Sequence, residues 1–284
     1  MRKAFPKIVE SLMIKNKNIF CLLGDIGVFS FRNIFKNYKD RILNMSTMEQ
    51  SMVGFGAGLA KAGFIPIIHS ISPFLILRAL EQIKIDLVYN KICCNLVSVG
   101  ASNDYAKLGA THNCYEDVSV LSNYKINVFL PSNSEEFKFL LTKNYNNGGV
   151  NYFRLTEDEA KKTFKKNGFI KFNNNNKLVI FLGNSIKFNS VDMKKTDIYY
   201  INSIVSKINL NFVKNYKKIV IVEPYFGNVI ERKIRDNNFL LNQILTIGYK
   251  KTIVHRYGNK KQQDNYLNFN ESKINKKIYE FFNN

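Results

Sequence analysis

The sequence has no tryptophan and only four cysteines, five prolines and three histidines in 284 residues. No two cysteines form a Cys-x-x-Cys pair and no two histidines have metal-ligand spacing, so we expect no metal site within this chain. Cys21 and the neighbouring Cys93 and Cys94 lie in apolar runs. We expect these thiols to be buried and free, as in proteins of a reducing compartment.

Long apolar runs are also missing. No stretch approaches 18 apolar residues, and the start of the chain (Met-Arg-Lys-Ala-Phe-Pro) has no run long enough for a signal peptide. We therefore expect no membrane span and a cytoplasmic location. The net charge of +20 would attract nucleic acid, phosphorylated substrates or an acidic partner subunit. Zinc-finger spacing, aromatic ribonucleoprotein motifs and a basic zipper are all absent, so nucleic acid is not the expected partner.

Three common site motifs do not occur. The sequence contains no Gly-x-Gly-x-x-Gly, no phosphate-binding Gly-x-x-x-x-Gly-Lys and no Gly-x-Ser-x-Gly of a hydrolase elbow. The hydrophobic content of 45% and the aromatic content of 13% are typical of a globular chain. Composition and spacing alone therefore predict a fold but no chemistry.

What the sequence does contain is a regular alternation of strand and helix patterns. Apolar strand-like runs lie at 19–23, 64–68, 95–99, 127–130 and 151–155, and helical patterns separate them, chiefly at 48–62, 74–88 and 134–143. Strands that alternate with helices predict the α/β class, in which helices cover a mainly parallel sheet.

The same alternation resumes after a polar segment. Residues 156–176 are charged and rich in asparagine, which is typical of an interdomain linker. Beyond it, strand patterns recur at 178–182, 198–201, 219–222 and 244–247, and the end of the chain looks helical. We therefore predict two α/β domains, 1–155 and 177–284, each with a mainly parallel sheet covered by helices, joined by a linker at 156–176.

Six short motifs follow one another through the first predicted domain. They are Gly24-Asp25-Ile26-Gly27, a segment ending in Glu49-Gln50, the small-residue run 54–60, Ser70-Ile-Ser-Pro-Phe74 with Arg78-Ala-Leu-Glu-Gln-Ile83, Gly109-Ala-Thr-His112 with Glu116-Asp117, and Asn151-Tyr-Phe-Arg154-Leu155. Together they resemble the pyrimidine-binding domain of the transketolase family of thiamine diphosphate enzymes. Residues 177–284 resemble the family's C-terminal domain more faintly, through Ile219-Val-Ile-Val-Glu-Pro224 and Ile247-Gly248.

The resemblance gives Glu49 the central role. It implies that this carboxyl group hydrogen-bonds a nitrogen of the cofactor's aminopyrimidine ring. The bond favours the imino tautomer, whose exocyclic nitrogen can take the proton from the thiazolium carbon. The residues alone leave another interpretation open, because Ser46-x-x-Glu49 also fits a capping box in which the glutamate only closes a helix start.

Four further positions are implied to contact the cofactor. Phe74 matches the family phenylalanine that stacks on the aminopyrimidine ring, and Ile71 stands where the family has another phenylalanine. Asp25 and Ile26 are implied to lie beside the thiazolium ring. The structural alternatives are a core phenylalanine at 74 and a turn aspartate at 25 that fixes the end of a strand.

The resemblance also implies substrate contacts. His112 would orient or protonate the oxygen on the reacting carbon, although a lone histidine is also common as a structural residue. Arg154 and Arg2 match family arginines that hold a substrate phosphate, an anion that a guanidinium binds well. For Arg2 we favour the alternative of a solvated terminal charge, and we interpret Arg78 as a structural ion-pair partner.

Two positions depart from the family. Leu108 replaces an aspartate that reads a donor hydroxyl in transketolases, and a histidine that helps to bind sugar is replaced at about Gly100. These departures indicate a substrate pair other than the standard pentose phosphates. The stretch from Ser102 to His112 is similar to split transketolase-like proteins of unusual sugar pathways.

The family's diphosphate-binding domain, with its Gly-Asp-Gly…Asn magnesium motif, is absent from this sequence. The resemblance is therefore to the C-terminal half of a split enzyme. It implies a separate N-terminal, diphosphate-binding subunit that holds most of the thiamine diphosphate and Mg²⁺ contacts, in a heterotetramer of two copies of each chain.

The expected activity is transfer of a two-carbon ketol unit from a ketose (phosphate) donor to an aldehyde acceptor. Two alternatives stay open from the sequence: the beta subunit of a 2-oxo acid dehydrogenase, and a non-catalytic subunit that has kept the fold.

Overall fold

A computed structural model describes residues 1–189, 196–205, 208–236, 243–250 and 252–284. Within them, strands assemble into one sheet of seven and one of five, both mostly parallel and flanked by helices. The predicted α/β class is confirmed.

The described residues form nine α-helices and twelve strands. The α-helices are α1 Phe5–Lys15, α2 Arg32–Asn37, α3 Glu49–Lys61, α4 Leu80–Gln82, α5 Asp117–Leu121, α6 Ser134–Asn144, α7 Val229–Asp236, α8 Lys260–Tyr266 and α9 Glu271–Asn283. The strands are β1 Ile19–Leu23, β2 Ile42–Asn44, β3 Ile65–Ile71, β4 Cys94–Val99, β5 Ile126–Phe129, β6 Val150–Arg154, β7 Gly168–Lys171, β8 Lys177–Leu182, β9 Asp197–Ile201, β10 Ser203–Ile204, β11 Lys218–Val222 and β12 Gln243–Ile247.

The first sheet has the strand order β10-β5-β6-β4-β3-β1-β2, and β10 pairs antiparallel with β5. Its central strands are buried on both faces because alternate residues face different helices. Leu22 and Ile68 belong to the apolar cluster that includes Met52 of α3, whereas Cys21 belongs to the cluster that includes Phe5 of α1. Such strands read as unbroken apolar runs, which is why they were visible in the sequence.

One small residue of α3, Gly56, allows close packing on this sheet. A Cβ atom added to Gly56 would lie 2.6 Å from Cδ1 of Ile68 in β3. The helix can therefore approach the strand more closely than a larger residue at this position would permit. This places the first residue of α3 near the end of β3.

The predicted helix over 74–88 is not a regular α-helix. It consists of two π-helical segments, Pro73–Arg78 and Ile83–Tyr89, on either side of the short α4. Apolar periodicity predicted helical winding correctly, but it does not reveal wider turns, which are rare and frequently occur at functional sites.

The second sheet has the order β12-β11-β8-β9-β7, with β7 antiparallel to β9. Strand β7 lies inside the segment predicted as a linker, and its Phe169 packs edge-on against Tyr199 and Phe212. Strand β10, from the predicted second domain, pairs with β5 of the first sheet. The domain division itself stays a prediction, and these two strands show that residues beyond 155 complete both sheets.

The thiols behave as expected from their apolar surroundings. All four cysteines are free; Cys21, Cys94 and Cys114 are buried, and Cys93 is half-buried. Burial raises the pKa of Cys21 and of Cys94, so both are protonated at neutral pH.

Replacing Gly183 by alanine should destabilise the chain. Gly183 has φ +52°, and an added Cβ would lie 2.9 Å from the backbone oxygen of Leu130. Left-handed backbone and overpacking together should lower the free energy of unfolding by about 2–4 kcal/mol, measured by chemical denaturation.

Gly148→Ala is the matched control, because Gly148 has φ +81° but open space around it. It should cost only about 1 kcal/mol. Equal losses in the two variants would contradict the proposed close contact at Leu130.

Candidate functional site

Glu49 is the first residue of α3, and its side chain has no exposed surface. The capping-box interpretation is wrong: Met48 is the N-cap residue without a side-chain cap, and the Ser46 N–H donates to Asn44 Oδ1 at 3.2 Å. The carboxylate instead points inward and accepts a hydrogen bond from Ser70 Oγ at 2.6 Å. A charge in this position requires compensating partners.

The second partner of Glu49 is Arg78. Its guanidinium donates to Glu49 Oε2 at 2.5 Å, and 40% of its side chain is exposed. The same guanidinium lies over the ring of Phe74, with the guanidinium carbon 4.3 Å from the ring centre. Arg78 therefore forms an ion pair and a cation–π contact at once.

His112 completes the cluster through a contact with Phe74. The two rings meet edge to face with centres 5.1 Å apart, and His112 Nδ1 lies 2.9 Å from Thr111 Oγ1. Desolvation by the surrounding residues lowers the pKa of His112. The imidazole is therefore neutral at neutral pH and can act as a hydrogen-bond donor or acceptor.

The sheet topology explains why these residues meet. Strands β1 and β3 are neighbours, but the chain continues from β1 to β2 in one direction along the sheet and from β3 to β4 in the other. Ligand sites of open α/β sheets lie at the carboxyl ends of the strands where the strand order reverses in this way. Gly24, directly after β1, accommodates the Ser70 hydroxyl, since an added Cβ would lie 2.8 Å from Ser70 Oγ. The cluster thus occupies the crevice that the fold itself favours for a ligand.

Asp25, Ile26 and Ile71 line the strand ends at the same edge. Asp25 has φ +56° and exchanges two hydrogen bonds of 3.0 Å with Asn44, which tie the end of β1 to the end of β2. Ile26 packs on the core beneath α1, and half-buried Ile71 ends β3 beside Gly100. Their cofactor contacts stay predictions.

The two arginines expected at a substrate phosphate are placed differently. Arg154 is buried: its Nε donates to Asp117 Oδ2 at 2.7 Å and a terminal nitrogen donates to Ser102 Oγ at 2.8 Å. A guanidinium enclosed in this way presents no surface to a phosphate, so the geometry favours a structural role. Arg2 is exposed and donates to the Tyr105 hydroxyl at 3.2 Å.

The structure thus unites Glu49, Phe74 and His112. Ser70 received no role in the sequence analysis, and Arg78 was correctly interpreted as an ion-pair partner without its acid being identified. The sequence pointed to both residues only through their positions: Ser70 begins the Ser-Ile-Ser-Pro-Phe motif and Arg78 begins the Arg-Ala-Leu-Glu-Gln-Ile motif.

Metal ligands and membrane spans are both missing from the described ranges. No group of three or more histidine, cysteine, aspartate or glutamate side chains is arranged there to hold a metal ion. Among the residues that the structure describes, no helix has the length and apolarity needed to cross a membrane.

Residues 1–162 match the family of the transketolase pyrimidine binding domain, which is more than half of the chain. The chain belongs to this family, and the resemblance inferred from the motifs is confirmed.

Curated relatives include an apulose-4-phosphate transketolase subunit of Actinobacillus succinogenes, 35% identical over 125 residues, which are 44% of this chain and 40% of that protein. A 1-deoxy-D-xylulose-5-phosphate synthase of Clostridium tetani is 26% identical over 279 residues, 87% of this chain and 44% of that protein. The matched regions thus span less than half of these relatives' own length.

Among solved structures, a chain titled "Split gene transketolase, inactive beta4 tetramer" superposes with a TM-score of 0.84 at 17% identity. The match covers 99% of this chain and 97% of that one, so the two chains share one fold along nearly their whole length.

Arg154→Met should destabilise the chain strongly. It leaves the Asp117 carboxylate buried without its cation, and the loss of one partner of a buried pair costs about 3–5 kcal/mol. Lys187→Met is the control, because the Lys187–Asp158 pair is partly exposed and worth about 1 kcal/mol or less. Denaturation that showed similar losses for both would contradict the structural role of Arg154.

Proposed function

We propose that this chain is the pyrimidine-binding subunit of a two-subunit, thiamine diphosphate-dependent transketolase-like enzyme. The enzyme transfers a two-carbon ketol unit from a ketose (phosphate) donor to an aldehyde acceptor. The observation that carries the proposal is the fully buried Glu49 carboxylate, linked through Arg78 to Phe74 and His112 at the carboxyl edge of a parallel sheet. Family membership over residues 1–162 supports it.

The residues present fit one part of the cofactor. Glu49 offers a carboxyl group for a ring nitrogen, and half-buried Phe74 offers an aromatic face of the kind on which a flat ring stacks. Thiamine diphosphate, when bound, supplies the carbon nucleophile for the transfer. Glu49 would hold the proton at the ring nitrogen, and neutral His112 would orient the oxygen of the substrate's reacting carbon.

The diphosphate and its Mg²⁺ are proposed to rest mainly on a partner chain. No acidic cluster suited to a metal occurs in the parts of the chain that the structure describes. The relative from Actinobacillus succinogenes is named as one subunit of a transketolase, and the solved split-gene chain is titled an inactive beta4 tetramer. Both names agree with a separate N-terminal, diphosphate-binding subunit. We propose a cytoplasmic heterotetramer of two copies of each chain.

The substrate is proposed to be a sugar other than the standard pentose phosphates. Leu108 is 53% exposed and replaces the aspartate expected in transketolases. An apolar side chain there offers no hydrogen bond to a donor hydroxyl. Screening ketose phosphates against 2-oxo acids as donors tests this part, and turnover of 2-oxo acids alone would favour a dehydrogenase-type enzyme.

Glu49→Gln should abolish turnover by the complex assembled with its partner subunit. An amide cannot exchange a proton with the ring nitrogen, so the rate should fall by about 100-fold or more. The circular dichroism spectrum and unfolding midpoint of the free chain should show that the variant still folds.

Glu81→Gln is the control, since Glu81 is an exposed acid of nearby α4. It should leave the rate unchanged. Retained activity in the Glu49→Gln variant would contradict the proposed function.

A further inference from the structure

Arg78 makes the two contacts that the proposed function assigns to the cofactor ring. Its guanidinium donates to Glu49 at 2.5 Å, where a ring nitrogen would bond. It also lies over Phe74, with its central carbon 4.3 Å from the ring centre, where the aminopyrimidine would stack. The Arg78 guanidinium thus occupies the place proposed for the aminopyrimidine ring.

The Glu49 carboxylate is fully buried in this chain. Glu49 has no exposed side-chain surface, and each of its oxygens already accepts a short hydrogen bond. Because no surface of the carboxylate is exposed, a ring nitrogen can reach it only after a side chain that covers it moves away, and Ser70 and Arg78 are its two hydrogen-bonding partners.

Of the two partners, Arg78 is the one that can move. Ser70 is fully buried in β3, and Gly24 packs directly against its hydroxyl. Arg78 has a long side chain that is 40% exposed, so solvent can receive its charged end. The charged end of Arg78 can move into solvent, and a ring nitrogen that takes its place restores a hydrogen bond to the buried Glu49 carboxylate.

We infer that Arg78 is a side-chain cover that closes the Glu49–Phe74 site in the free chain and must swing out before an aminopyrimidine ring can enter. This inference rests on the proposed function. Its consequence is a reduced apparent affinity: if the cover is closed nine-tenths of the time, the ring binds about tenfold more weakly than to an open site.

The first test measures how well Arg78 shields the Glu49 carboxyl group when no cofactor is present. The free, full-length chain is treated with a water-soluble carbodiimide and glycine methyl ester, and amide formation at Glu49 is followed by peptide mass spectrometry. In the native chain Glu49 should be protected, and in Arg78→Met it should react several-fold faster. Equal rates would overturn the inference.

Arg32→Met is the matched control. Arg32 lies over the ring of Phe29 at 4.5 Å, the same cation–π arrangement on an exposed part of the surface. Its loss should leave Glu49 protected, which separates uncovering from a general loosening caused by removing an arginine.

The second test measures competition with the ring. Binding of 4-amino-2-methylpyrimidine to the full-length chain is titrated by ligand-observed nuclear magnetic resonance. Arg78→Met should bind about tenfold more tightly than the native chain and Arg32→Met, with Arg78→Lys in between, since lysine keeps the charge but loses the planar fork. Unchanged or weaker binding in Arg78→Met would overturn the inference and make Arg78 a positioning residue for Glu49.

The two readouts separate this inference from the proposed function. If no variant binds the pyrimidine while the labelling of Glu49 still responds to Arg78→Met, the cofactor role fails and the closed carboxylate stands. If binding is observed but the labelling rates are equal, the inference about Arg78 is wrong and the proposed cofactor role of Glu49 is supported.

Discussion

A carboxylate with no exposed surface is stable only where protein partners replace its water, and Glu49 has two of them. Ser70 supplies one from the end of a buried strand, and Arg78 supplies the other from a helical segment beyond it. Several features at the carboxyl edge of the first sheet accommodate these two contacts. Gly24 leaves room for the serine, Gly56 lets α3 approach β3, and the segment that carries Phe74 and Arg78 winds as a π-helix.

The site therefore combines a rigid and a movable side. The serine side belongs to the central strands, where main-chain hydrogen bonds and core packing fix every position. The arginine side belongs to wide helical turns, which are rare and frequently occur at functional sites. A buried acid between one fixed donor and one displaceable donor can exchange the second for a ligand without losing the first.

The sequence predicted the central architecture well because the buried strands are unbroken apolar runs; β1 was placed residue for residue. Glu49, Phe74 and His112 were singled out through a resemblance, since spacing alone left a capping box open for Glu49, and their roles stay predictions. Wide helical turns, edge strands β7 and β10, and the enclosure of Arg154 escaped prediction. The edge strands and the Arg154 contacts join residues distant in sequence, which neither periodicity nor a short motif records, and wide turns have no apolar spacing that sets them apart from an α-helix.

The pairing of β10 with β5 also bears on how this polypeptide can be divided. The second half of the chain donates a strand to the first sheet, with Ile204 beside Val128 and the Leu130 N–H bonded to the Asn202 carbonyl. A fragment cut at the linker predicted from composition would leave β5 as a bare edge, with unpaired backbone groups that recruit other strands. The boundary that composition suggests is therefore a poor place to separate the protein into pieces for expression.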